Sequence, residues 1–161
     1  MTSESLLDQA ALCLQTGDLW RAEGLYRQLI QREPFSFEAR VQLAVLLAWR
    51  GQTQEAATAF EQALRLKPDN AIVLFNYGNV LSALQRPQDA LESYAKALAI
   101  SPDFPDALVG RGAVLNALGR FEDALTSLDR AIALNPANVL AQHNRGVALD
   151  GLEHFDKALA A

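Results

Sequence analysis

The apolar positions of this chain recur at two spacings, one nested inside the other. In the stretch 71–104, Leu74, Tyr77, Gly78, Leu81 and Leu84 follow the three-and-four step of one helix face. Ala90, Leu91, Tyr94, Ala97 and Leu98 then follow the same step again. Between the two runs, Gln85-Arg86-Pro87 stops the first helix and starts the second. Proline is tolerated in a first helical turn, where its missing N–H would have had no partner. The pattern predicts a helical hairpin.

The hairpin repeats along the chain. Pro34, Pro68, Pro102 and Pro136 are spaced 34 residues apart, and aligning them brings the rest into columns. Ala22, Ala56, Ala90, Ala124 and Ala158 share one slot. Ala10, Ala44, Gly78, Gly112 and Gly146 share another that is always small. Tyr26, Phe60, Tyr94 and Leu128 fill a large slot, followed three residues on by Leu29, Ala63, Ala97 and Ala131. Gly17, Gly51 and Gly119 stand where a left-handed residue ends a first helix, and Asp69-Asn70 after Pro68 can cap the start of the next hairpin. A small residue in the first helix lets the second approach closely, with the large residue filling the space beside it. Each hairpin then keeps one apolar face that only the next hairpin covers, which implies a quasi-linear stack with a concave and a convex side.

Composition narrows the function. The chain has 161 residues, half of them hydrophobic, which excludes disorder by composition. Its longest apolar run, Leu43 to Trp49, is far too short to cross a bilayer. With 14 basic and 19 acidic residues the net charge is -5, and no basic stripe offers itself to phosphates, so neither nucleic acid nor membrane is expected as a partner. The first twenty residues do not read as a signal peptide, which favours the cytoplasm if Met1 is the natural start. Cys13 has no second cysteine to pair with. It stands in a column with Leu47, Leu81, Leu115 and Leu149, which marks it as a buried thiol.

These columns resemble the tetratricopeptide repeat, over the whole chain: the period, the small residue of the first helix, the alanine and aromatic of the second, and the closing proline. The resemblance implies an all-α fold, a right-handed α-α superhelix of helix-turn-helix repeats. The repeats run 3–36, 37–70, 71–104 and 105–138, with an incomplete fifth over 139–161, all in a single array. Arg40 and Gln142 depart from the family's bulky early residue, held here by Leu6, Leu74 and Leu108, and Gln85 and Glu153 replace the turn glycine.

The resemblance also implies where a ligand lies, since first helices line the concave groove in this family. That assigns Val41, Val45 and Trp49 from the second repeat, and Phe75, Asn76, Asn79 and Ser82 from the third. Val109, Ala113 and Asn116 follow from the fourth, and His143, Asn144, Val147 and Asp150 from the fifth. An apolar strip flanked by amides suits an extended peptide or an amphipathic helix, with amides pairing to backbone regardless of sequence. The alternative is that Trp49 and Phe75 only pack against neighbouring hairpins. The run Leu74-Phe75-Asn76-Tyr77-Gly78-Asn79 further resembles the repeat arm of O-linked N-acetylglucosamine transferases, whose asparagines hold peptide backbone. Asn144 repeats the Asn76 slot, but Gln42 and Gly110 interrupt the ladder.

Other chemistry has little support. Clamping a chaperone's terminal carboxylate requires basic residues in slots that hold Leu7, Val41, Phe75, Val109 and His143. His143, Asp150 and His154 are too few for a metal site. With no Gly-rich phosphate loop, nucleophile elbow or Cys pair, no cofactor and no catalysis are expected. The expected function is a protein–protein interaction scaffold that binds a partner's peptide or helix. The alternative is a substrate-recruiting arm of a larger enzyme such as a glycosyltransferase, favoured by the stop at Ala161 partway through a helix that begins with Phe155, Ala158 and Leu159. The first helix of that fifth repeat is then only partly covered, so fraying beyond Leu152 or self-association through an open C-terminal edge is expected.

Overall fold

The computed structural model describes the backbone of residues 3–159 and the side chains of 5–153. Among the described residues there are nine helices and no strand. They are α1 (Ser3–Gln15), α2 (Leu19–Arg32), α3 (Phe37–Trp49), α4 (Thr53–Leu66), α5 (Ala71–Ala83), α6 (Pro87–Ile100), α7 (Pro105–Ala117), α8 (Phe121–Leu134) and α9 (Val139–Leu159).

Local chemistry sets the ends of these helices. Gly17, Gly51 and Gly119 take φ values of 79°, 73° and 70°, and Gln85 takes the same left-handed conformation at 58°. Each is followed by a residue whose N–H reaches back five positions: Asp18 to the Cys13 carbonyl, Gln52 to Leu47, Arg86 to Leu81 and Arg120 to Leu115, all at 2.8–3.0 Å. This closure satisfies carbonyls that the helix end would leave bare. Gln85 meets a cost of about 1–2 kcal/mol for its left-handed backbone, and Pro87 two residues on leaves the helix no way to continue. At the next hairpin entries, Ser36, Asn70 and Asn138 accept the backbone N–H of Ala39, Val73 and Ala141.

The helices form two compact units, Met1–Asp69 and Asn70–Ala161. In the first, α1 pairs with α2, α3 with α4, and α2 packs on α3. Leu6, Leu29 and Ala39 form a buried cluster there, joined by the half-buried Leu7, Leu25 and Ile30. In the second, α5 pairs with α6, α7 with α8 and α8 with α9, while α7 touches both α5 and α9. Its core runs through three clusters, around Tyr94 and Leu81, around Leu108 and Ala131, and around Leu128 and Leu115.

The columns of the repeat are the core. Ala22, Ala56, Ala90 and Ala124 are wholly buried, as are Ala10 and Ala44 of the small column. Tyr26, Phe60, Tyr94 and Leu128 are buried beside them, and Cys13 is buried in its column. A Cβ on Gly78 would lie 2.7 Å from the Tyr94 ring, and one on Gly112 would lie 2.6 Å from Leu128, so only glycine fits these two positions.

The fifth repeat departs from the expected hairpin. A turn at Glu153 and a separate helix from Phe155 were expected, yet α9 continues unbroken from Val139 to Leu159. Glu153 has neither glycine's freedom to turn nor a proline behind it to stop the helix, so continuing is locally the cheaper path. The expected packing of Phe155, Ala158 and Leu159 and the fraying beyond Leu152 rest largely on side chains outside the described residues. Beside Gly146, the last of the small column, no packing neighbour among the described residues comes within 4 Å of where a Cβ would stand.

Ala90 tests the packing directly. It is wholly buried among Leu81, Tyr94 and Val114. Ala90→Leu is expected to destabilise the fold by roughly 1–3 kcal/mol through overpacking, whereas Gln88→Leu on the exposed side of the same helix is expected to change it by less than about 0.5 kcal/mol. Chemical denaturation of both variants checks this, and equal midpoints would show that the column is not a helix contact.

Candidate functional site

In the first unit, α3 carries Val41, Val45 and Trp49 four residues apart, so they share one helix face. The two valines are half-buried, while the Trp49 ring is 72% exposed and is no part of the core. Next to it, Arg50 caps α3 and lays its guanidinium over the ring of Trp20, 3.6 Å from the centroid. Trp20 is itself 75% exposed. The same guanidinium pairs with Glu23, which also pairs with Arg27 one turn along α2, and Arg27 reaches Glu55 at 3.1 Å. A nearly buried carboxylate such as Glu23 is tolerable only when paired in this way. The reading of the sequence missed this cluster. Its signal was a carboxylate in a column otherwise filled by Ala57, Leu91 and Leu125.

In the second unit, α5 places Phe75, Asn76 and Asn79 on neighbouring positions of one face. Phe75 is half-buried, its ring centroid 6.2 Å from that of Tyr94 and 5.1 Å from that of Phe104. Such spacing is ordinary aromatic packing, so Phe75 is tied to Tyr94 and Phe104. Val109 is buried in the core with Leu108, Ala131 and Ala141. Asn76 is half-buried, and among the described residues its amide has no hydrogen-bond partner. Asn79 is exposed and accepts a hydrogen bond from the Tyr94 hydroxyl at 2.7 Å.

The remaining asparagines are spent within the chain. Asn116 of α7 donates from Nδ2 to the backbone carbonyl of Asn144 at 2.8 Å, tying α7 to α9. Asn144 donates from its own amide to the Leu140 carbonyl at 2.9 Å. His143 and Asp150 lie exposed on α9, and no group of three or more metal-ligating side chains occurs among the described residues. Arg145 is engaged by Asp129 at 2.5 Å.

The break in the asparagine ladder has a steric cause. Gly110 fills the slot held by Asn76 and Asn144, and a Cβ there would lie 2.9 Å from Tyr94 Cζ and 3.0 Å from its hydroxyl oxygen. The end of the Tyr94 ring occupies the space from which a side chain at 110 would grow. One tyrosine therefore packs against Gly78, empties the slot at Gly110 and engages Asn79.

Comparison with known proteins agrees with this architecture. Tetratricopeptide-repeat families match residues 13–73, 49–107 and 112–151. The chain thus carries tetratricopeptide repeats, and its fold is all-α and of the tetratricopeptide-repeat solenoid type. Among solved structures, a MamA protein superposes with a TM-score of 0.90 at 20% identity, covering 98% of this chain and 86% of that one. A tetratricopeptide repeat protein from Parabacteroides merdae superposes at 0.87 and 23% identity, over 96% of this chain and 61% of its own. YrrB, described as a TPR protein with an unusual peptide-binding site, gives 0.83 at 24% identity, over 96% of this chain and 80% of its own. No curated protein matches the chain. Among the described residues, no helix is long and apolar enough to cross a membrane.

Burial also sets the chemistry of Tyr94. Removing the phenol from water penalises its charged form and pushes its pKa up to about 12 from 10.0. The unfolded chain therefore loses this proton first. The stabilising contribution is whole below about pH 10 and is lost as pH rises through 12, a change of about 2–3 kcal/mol. Tyr26 is also raised, first by burial and then by the charges of Glu38 and Cys13. Urea denaturation at pH 9 and pH 11.5 is expected to show a smaller loss for Tyr94→Phe than for the parent chain. Identical losses would mean that Tyr94 does not titrate differently on folding.

Proposed function

We propose that this chain is a protein-interaction module, not an enzyme, and that its first-helix faces bind an extended stretch of a partner protein. The observation that carries the reading is on α5, where Asn76 keeps an unpartnered amide and Asn79 keeps its Nδ2 outside the Tyr94 bond. Two amides one turn apart can exchange hydrogen bonds with a peptide backbone whatever its side chains. The exposed ring of Trp49 on α3, with Val41 and Val45 behind it, adds apolar area of the kind that anchors interfaces. The exposed His143 adds a polar group on α9, while Asn116 and Asn144 brace that part of the surface through their bonds within the chain. The repeats from 3–36 through 139–161 act in this reading as one array. The description of YrrB as having a peptide-binding site supports a related use of the fold here.

Selection from a random peptide library, followed by calorimetry, tests the reading. Asn76→Ala with Asn79→Ala is expected to weaken a selected peptide by about 1–3 kcal/mol, the worth of one or two hydrogen bonds. Trp49→Ala is expected to cost roughly 2 kcal/mol or more where the peptide covers the ring. Helix content is expected to stay constant in all variants. A selected peptide whose affinity ignores all three changes places the ligand on another surface.

A second reading concerns copies of the chain. Val139, Leu140, Val147 and Leu149 of α9 are all exposed, an unusual concentration of large apolar side chains on one helix. They support self-association through this edge. Sedimentation velocity is expected to give a concentration-dependent dimer that Val147→Glu with Leu149→Glu abolishes. A parent chain that stays monomeric to high concentration rules this association out.

A further inference from the structure

We propose that Tyr94 is a positioning residue for the ligand of the second unit: its hydroxyl holds the Asn79 carbonyl oxygen, so Asn79 meets the ligand as a hydrogen-bond donor. The group taken there is then a carbonyl oxygen of an extended backbone. The inference rests on the reading of α5 as a peptide-binding face.

The geometry assigns this role to Tyr94 through three features. First, a side-chain amide is a donor at one end and an acceptor at the other, and a free exposed one turns over easily. The bond of 2.7 Å from the Tyr94 hydroxyl to Asn79 Oδ1 removes that freedom. With the oxygen held inward, both Nδ2 protons face outward, and among the described residues no other group engages them.

Second, Tyr94 cannot turn aside. Its ring is buried at 1% exposure, with Gly78 of α5 and Gly110 of α7 both against its Cε1 and Cζ atoms. Neither position would admit even a Cβ, and Phe75 packs on the same ring. The hydroxyl is thus delivered to Asn79 by a rigid wedge, and the orientation of the amide is fixed before any ligand arrives. Preorganisation of this kind spares the ligand the cost of ordering the side chain.

Third, no side chain stands at Gly110, the slot that Asn76 and Asn144 hold on the other first helices of this unit, because the end of the Tyr94 ring lies where its Cβ would be. Because the Tyr94 hydroxyl lies against Gly110 and bonds Asn79, no side chain at 110 competes for the Asn79 amide. Asn116 and Asn144, in contrast, each spend an amide N–H on a carbonyl of the chain itself, so donor presentation of this kind belongs to Asn79.

Capped octaproline is a suitable probe, because it is an extended backbone with carbonyl acceptors and no internal N–H donors. The side-chain amide signals of Asn76 and Asn79 are followed by NMR during titration of the whole chain. In the parent protein the Asn79 Nδ2 protons are expected to shift on titration. In Tyr94→Phe, which keeps the ring and its packing, the apparent affinity read at Asn79 is expected to fall about fivefold, the factor that one hydrogen bond supplies. Asn79→Asp, which can still accept from Tyr94 but offers no donor, is expected to weaken the affinity read at the Asn76 amide at least about fivefold. An Asn79 that is silent in the parent chain while Asn76 responds overturns donor presentation, and leaves the peptide-binding reading standing. Equal affinity in the parent and Tyr94→Phe overturns the positioning role. Silence at both asparagines, toward octaproline and toward selected peptides alike, overturns this inference and the peptide-binding reading together.

Discussion

Two helices of a hairpin can share a core only if one of them yields space at the point of closest approach, and much else in this chain follows from how that space is given. In the first unit alanines supply it, with Ala10 and Ala44 fully buried in the first helices and Ala22 and Ala56 in the second. In the second unit glycines supply it. Gly78 and Gly112 stand where a single added carbon would run into Tyr94 and Leu128. Glycine inside a helix costs about 0.5–1 kcal/mol relative to alanine, which the burial of a large side chain, worth about 1.5–3 kcal/mol, more than offsets.

The same constraint shapes what the surface of the second unit can do. A tyrosine packed against two first helices must end somewhere, and the polar end of Tyr94 reaches the exposed Asn79 of α5. It bonds to Asn79 and occupies the origin of any side chain at position 110. Under the proposed peptide-binding role, packing and recognition are therefore coupled through one ring. Phe75 belongs to the same group, as its contacts with Tyr94 and Phe104 tie a residue of the α5 face into the core. The first unit solves its problem differently, leaving Trp49 exposed and holding Arg50 between Trp20 and Glu23. That arrangement keeps a charge in a column that elsewhere is apolar, at the expense of needing two arginines to neutralise it.

Much of this was readable from the chain alone. The period of 34 residues, the helical spacing within it and the punctuation by glycine and proline determined the hairpins, because each is a local property of the backbone. The columns of alanine, glycine and aromatic residues determined the core, because a repeated contact leaves a repeated residue. Gln85 was legible as a turn despite lacking glycine's freedom, since Pro87 forbids the alternative. Glu153 was not, because no neighbour forces the turn and the helix simply continues. The asparagines of the first helices could be placed on one face by their spacing, but the partner of each amide depends on side chains brought in from other helices. Tertiary structure alone decided that Asn79 is held by Tyr94, that Asn116 and Asn144 bond within the chain, and that Gly110 is empty because a ring stands beneath it. Periodicity tells which residues share a face, whereas hydrogen bonds and close contacts depend on distances of a few ångströms between segments far apart in sequence, and only the packed helices set those.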